Sequence, residues 1–159
     1  MARVLIVGCG CRGQELAREL RAAGHAVRGT TRDRGRIPAI EAAGAEPYLG
    51  DPDRIATLME ALTGVTILCW LMGTAEGAPE LHDGRLRMLW EKLVDTPVRG
   101  VVYEAAGPLD PELYTRGRTV AAAAHATWMI PLRVLETDPA DHASWRAVAW
   151  DAVTSLLAG

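Results

Sequence analysis

Apolar residues in this chain come in short runs of four to eight, and the stretches between them repeat at helical spacing. The runs at residues 3–7, 26–30, 46–49, 66–71, 100–103 and 128–134 read as strands, and their near-continuous apolar character is that of a parallel sheet covered on both faces. Between them, Leu16, Ala17 and Leu20, then Ile55, Leu58, Met59 and Leu62, then Leu86, Leu89, Trp90 and Leu93 recur every three or four positions, each set marking a helix face turned to the sheet. Gly24 and Gly44 each close an Ala-rich run, where glycine accepts the left-handed backbone that ends a helix. Asp51-Pro52, Asp110-Pro111 and Asp138-Pro139 pair a capping carboxylate with a proline suited to a first helical turn, so each predicts a helix start. Pro131 falls inside the last strand pattern and cannot donate to a ladder, which sends that strand to a sheet edge. The expected architecture is an α/β single-domain Rossmann fold: a doubly wound six-stranded parallel sheet in order 3-2-1-4-5-6, helices on both faces, and no residues left for a separate substrate domain.

Composition agrees and adds exclusions. The chain has 159 residues, 49% of them hydrophobic and 23% charged, which suits one domain with a substantial core. Net charge is −3, from 17 Lys and Arg against 20 Asp and Glu, so nothing points to a nucleic acid backbone or an anionic membrane as partner. The longest apolar runs, such as 67–72, fall far short of the roughly 20 residues that cross a bilayer. The opening residues enter a strand at once with no secretory pattern, and Cys9, Cys11 and Cys69 have the spacing of neither a metal site nor a disulfide framework; a cytoplasmic, reducing setting is expected.

The chemistry concentrates at the first strand's end. Gly8-Cys9-Gly10-Cys11-Arg12-Gly13 is Gly-x-Gly-x-x-Gly between a buried strand and a helix. In that context Gly8 makes the tight turn, Gly10 lets a pyrophosphate approach the backbone, and Gly13 lets helix and strand pack closely. The helix expected to start near Gln14 offers free N–H groups at its N-terminus to phosphates, with Cys11 and Arg12 in the turn before it. After the second strand come Thr31, Arg32, Asp33, Arg34 and Arg36. Arginine here suits the 2′-phosphate of NADP, so Thr31, Arg32 and Arg34 are candidate cofactor ligands. NAD stays open, because a strand one residue longer would make Asp33 the ribose ligand; the plainer alternative is a solvated arginine loop.

Taken together, the glycine loop, the run Gly24-His25-Ala26-Val27-Arg28-Gly29-Thr30-Thr31-Arg32, Ala43-Gly44-Ala45-Glu46-Pro47 and Gly50-Asp51 resemble the atypical short-chain dehydrogenase/reductase superfamily, in particular its small NAD(P)-binding epimerase/dehydratase-like proteins, as far as about residue 105. The resemblance implies that Asp51 faces the adenine, although a helix cap beside Pro52 explains it equally well. It also implies that the segment containing Leu71 and Gly73 lies along the nicotinamide half. The family's catalytic Ser/Thr and Tyr-x-x-x-Lys are missing: Ala105 and Ala106 follow the fifth strand, and the only lysine, Lys92, has Met88 four residues before it. Tyr114 with Arg118 is a Tyr-x-x-x-Arg, and Glu104 ends a strand where ligands of such sheets bind. Tyr114 is a candidate acid or a half-packed helix residue, and Glu104 a candidate base or a loop cap. The four scattered histidines suggest no metal site. Trp145, Val148, Ala149 and Trp150 cover the edge strand or form a homodimer face. Function is expected to be an NADP(H)-dependent oxidoreductase acting on a small carbonyl-type substrate, or a non-catalytic regulatory or redox-sensing dinucleotide module.

Overall fold

A computed structural model describes residues 2–159. Among these the strands are β1 (Arg3–Val7), β2 (Ala26–Thr31), β3 (Glu46–Leu49), β4 (Ile67–Trp70), β5 (Gly100–Glu104) and β6 (Leu132–Leu135). The helices are α1 (Cys11–Ala22), α2 (Ile37–Ala42), α3 (Gly84–Leu93), α4 (Pro111–Trp128) and α5 (His142–Ala158). All strand pairs are parallel and the sheet order is β3-β2-β1-β4-β5-β6, as the sequence pattern predicts. Alternation along β1 divides the core. Val4 and Ile6 pack with α1, α2 and α5 on one face, while Leu5 and Val7 pack with α3 and α4 on the other. Because the chain leaves β1 toward β2 but β4 lies on β1's other side, the loops after β1 and β4 part at their carboxyl ends and open a crevice there.

Gly24 and Gly44 close α1 and α2 with φ of +93° and +87°. Asp110 caps α4, accepting the N–H of Glu112 with Pro111 in the first turn. Three expectations need correction. Residues 55–62 form two short 3₁₀ turns, Ile55–Leu58 and Glu60–Leu62, in place of an α-helix. Thr57 Oγ1 bonds the carbonyls of Asp51 and Arg54 and the N–H of Asp51, and Asp51 Oδ1 takes the N–H of Asp53, local bonds that compete with a helical ladder. Ile55, Leu58 and Leu62 are still buried, so the apolar pattern reports the buried face but not the helix type. The run at 128–134 is divided: α4 continues to Trp128, Met129 turns left-handed at φ 58°, and β6 starts only after Pro131. Pro131 contributes its carbonyl, which accepts from Val101, and β6 lies at the sheet edge as expected. Asp138 holds a turn through Ala140, and Asp141 is the residue that caps α5 through Ser144.

Trp145 and Ala149 are buried on the α1 side of the sheet while Val148 is partly exposed, so α5 covers that face. Among the described residues no helix is long and apolar enough to cross a membrane.

Candidate functional site

A cleft of about 690 Å³ opens at the carboxyl ends of β1, β2 and β3. The glycine loop forms its floor. Gly8 has φ +85°, and a Cβ there would stand 2.6 Å from the Leu71 carbonyl, so both backbone and space demand glycine. Gly13 is equally confined, 3.1 Å from Ile6 Cγ2 and 3.3 Å from the Gly8 carbonyl; it packs the helix and does not line the cleft. Gly10 differs from both. A Cβ there meets only Arg36 Nη1, at 3.7 Å, so the space above it is open cleft. Gly10 also precedes α1 without any side-chain cap, so no capping side chain takes the helix's first N–H groups.

The two cysteines of the loop divide. Cys9 is buried with Sγ in the space left by Gly29, and burial pushes its thiol up to about 12. Cys11 is exposed and lines the cleft.

β2 runs one residue longer than the pattern suggests, the condition under which the sequence makes Asp33 a ribose ligand; Thr31 Oγ1 bonds the backbone of Asp33 in both directions, Asp33 Oδ1 accepts the N–H of Gly35, and Asp33 lines the cleft. Arg32, Asp33 and Arg36 line the cleft, as do Thr31 and Asp51. Arg34, the first residue of the short 3₁₀ turn Arg34–Arg36, does not line it. Arg36, which the sequence offers alongside Arg34 as a second contact beside Arg32, overhangs the glycine loop. Among the described residues neither Arg32 nor Arg36 is in an ion pair.

A second cavity of about 450 Å³ lies across α1's first turn, walled by Gly107, Pro108, Asp138–Ala140, His142 and Trp145. Cys11, Arg12 and Thr74 line both spaces. Beneath this junction the end of β4 is held by buried side chains. Leu71 lines the cleft, and Gly73 is buried with its N–H on Glu104 Oε1 at 2.8 Å and its carbonyl accepting the Tyr114 hydroxyl at 2.6 Å. Glu104 is fully buried and each oxygen accepts twice: Oε1 from Gly73 and Arg12 Nη2 (2.5 Å), Oε2 from Arg12 Nε (2.9 Å) and Trp145 Nε1 (2.8 Å).

The Tyr114 hydroxyl also accepts from Leu109, and burial raises its pKa. Arg118 donates to Thr115, while the Tyr114 hydroxyl is held by the Leu109 N–H and the Gly73 carbonyl, so the Tyr-x-x-x-Arg spacing joins the two residues by no hydrogen bond. A further network escapes the sequence. His82 is fully buried with Nε2 on the Met72 carbonyl at 3.1 Å and Nδ1 on the Tyr103 hydroxyl at 2.6 Å. Since a carbonyl only accepts, Nε2 carries the proton and Nδ1 accepts from Tyr103. Burial lowers the His82 pKa, against the opposing pull of the Met72 carbonyl and Glu104. His82 and Tyr103 are 21 residues apart, and no local pattern joins them.

Residues 4–67 match the TrkA-N domain. Among solved structures, the chain superposes on a Bacillus halodurans protein described as a candidate NAD-dependent epimerase/dehydratase, with TM-score 0.72 and 14% identity over 87% of this chain and 71% of that one. It superposes on the Citrobacter sp. triphenylmethane reductase complexed with NADP(H), TM-score 0.69 and 20% identity, over 85% of this chain and 49% of the reductase. An Agrobacterium tumefaciens short-chain dehydrogenase/reductase superfamily protein with bound NAD matches at TM-score 0.67 and 17% identity, over 84% and 48%. The chain therefore spans about half the length of most of the solved structures it matches. At these identities the likeness shows the fold, and the resemblance read from the sequence holds at that level. No curated protein matches the sequence.

Proposed function

We propose that the chain binds NADP(H), with the adenosine half in the 690 Å³ cleft and the nicotinamide half in the 450 Å³ cavity. The observation that carries this reading is the glycine loop at the sheet's crevice, open above Gly10 and flanked by the unpaired Arg32 and Arg36. In this reading Gly8, Gly10, Cys11, Arg12 and Gly13 form and line the pyrophosphate turn, Thr31 and Arg32 take the ribose 2′-phosphate with help from Arg36, and Asp51 faces the adenine; Leu71 lines the first cleft and Gly73 neither space, so the two support the junction and do not flank a nicotinamide in the second cavity. NADP suits the site better than NAD because, among the described residues, Arg32 and Arg36 are in no ion pair and can form charge-assisted bonds to a 2′-phosphate, whereas one Asp33 oxygen, Oδ1, is already taken by the Gly35 N–H. One such bond is worth about 1.5 to 3 kcal/mol, so NADPH should outbind NADH by at least about tenfold. Titrating both cofactors against the parent and Arg32→Ala at low and moderate salt tests this. Equal affinities in the parent, or a preference untouched by the substitution, would remove Arg32 from the site and point to Asp33.

When bound, the cofactor would supply hydride to a small carbonyl-type substrate. A second reading, a non-catalytic redox-sensing or regulatory module, is favoured by one specific feature: Glu104 and the Tyr114 hydroxyl, the two acid–base candidates, are both fully engaged within the protein. NADPH oxidation with a panel of aldehydes, ketones and quinones separates the two. Tyr114→Phe should leave any turnover within about tenfold, because general acid catalysis where it operates is worth roughly a hundredfold or more.

A further inference from the structure

Among the described residues Arg12 is the one cationic side chain that lines both cavities. Two of its three guanidinium nitrogens are committed: Nε and Nη2 grip the two oxygens of Glu104, and Nη2 is also 3.5 Å from the Leu71 carbonyl. Its face is covered as well, for the guanidinium carbon is 5.7 Å from the centre of the Trp145 ring. The same indole donates its N–H to Glu104, so acid, arginine and tryptophan orient one another. Among the described residues Nη1 has no partner, and the Arg12 side chain keeps 20% exposure while Glu104 has none. An arginine at a cavity mouth normally samples many rotamers; this one has a single free edge in a fixed place. A dinucleotide reaching from one cavity into the other must pass Arg12, which lines both.

We propose that Glu104 is a positioning residue, which holds Arg12 so that Nη1 contacts the phosphate on the nicotinamide side of the dinucleotide. The inference rests on the NADP(H) reading and adds to it a division of labour: Arg32 and Arg36 recognise the adenosine half, and Arg12 recognises the step into the second cavity. It also accounts for a buried carboxylate at a strand end without assigning it proton transfer.

The test compares two probes, NADPH and adenosine 2′,5′-bisphosphate, the latter carrying the adenosine half and lacking the nicotinamide-side phosphate. Binding of both is measured by calorimetry on the parent, Arg12→Lys, Glu104→Gln and Trp145→Phe, with circular dichroism and melting temperature as controls for folding. Arg12→Lys keeps the charge but loses the fork. It should weaken NADPH by about tenfold, the value of one charge-assisted hydrogen bond, while leaving the bisphosphate within about twofold. Glu104→Gln should show the same split, and Trp145→Phe, which removes one bond to Glu104 and keeps the ring, a smaller split in the same direction. If Glu104→Gln fails to fold, the Arg12→Lys and Trp145→Phe pair decides alone. Unchanged NADPH affinity in these variants, or equal losses for both probes, overturns the role given to Arg12 and Glu104 while leaving the cofactor reading intact. A parent that binds neither probe overturns both.

Discussion

On the β2–β3 side of Arg12 the two arginines that line the cleft, Arg32 and Arg36, are exposed and, among the described residues, in no ion pair, whereas on the β4–β5 side Glu104, Tyr114, His82 and Tyr103 are buried and bonded to one another or to the backbone. Arg32 and Arg36 reach into the first cleft with nothing of their own to hold. Glu104, Tyr114, His82 and Tyr103 form closed contacts that clamp the backbone of Met72 and Gly73. The difference follows from solvent. An exposed guanidinium keeps its hydration and can wait for a ligand, whereas a buried carboxylate or imidazole is tolerable only when its partners are already in place. Substitutions on the open side should therefore register in binding, and substitutions on the closed side in folding.

The largest effect expected is on the open side. Gly10→Val places a branched side chain in empty cleft, where the first carbon meets only Arg36 Nη1 at 3.7 Å, so the fold should survive with an unchanged melting temperature while NADPH binding drops by at least about a hundredfold, below detection in calorimetry. A variant that binds as the parent does would mean that the loop is not a phosphate site.

Next comes the closed side. Both Glu104 oxygens accept two donors, so the amide of Glu104→Gln must set its NH₂ against two N–H groups whichever way it is turned. Breaking a buried pair costs about 3–5 kcal/mol. With Arg12 still 20% exposed and able to recover solvent, a loss of roughly 2–4 kcal/mol in urea unfolding is expected. Arg32→Ala should change the same measurement by less than about 0.5 kcal/mol. Similar losses in the two variants would erase the contrast between the regions.

A smaller effect concerns pH. Burial lowers the His82 pKa below its ordinary value of 6.5, so the unfolded chain binds a proton that the folded chain resists. The contribution of neutral His82 is complete above 6.5 and is lost as pH falls from there toward the folded-state value. Melting temperature followed from pH 8 to pH 5 should decline in the acid half of that range, and less steeply in His82→Gln. A flat profile would mean that the His82 network opens without resistance.

The smallest perturbation is a covalent one. Cys9 and Cys69 are buried with thiols pushed up to about 12, while Cys11 is exposed at the junction of the two spaces. Iodoacetamide at neutral pH should add one group, on Cys11, as read by mass spectrometry, and NADPH should slow the reaction. Modification of Cys9 in the folded protein would show that the loop opens past Gly29.

The strand pattern, the glycine loop and the proline at the edge determined the architecture, because a parallel sheet covered on both faces requires apolar runs and a phosphate-sized turn requires glycine, and both are local demands. Burial of Ile55, Leu58 and Leu62 was equally legible, but the type of turn was not, since it was decided by the contest between Thr57, Asp51 and the helical ladder. The boundary at Trp128 was hidden for a related reason: an apolar run of that length serves a helix end and a strand start alike. At the site, Arg32 could be placed from its distance to the glycine loop along the chain. The state of Glu104 could not. Whether a carboxylate at a strand end is a base or a clamp depends on Arg12, Gly73 and Trp145, which lie 92, 31 and 41 residues away and come together only when α1, β4, β5 and α5 pack. Sequence patterns report which face of an element is buried; only the tertiary structure decides which buried polar groups find each other, because that pairing is set by geometry between elements.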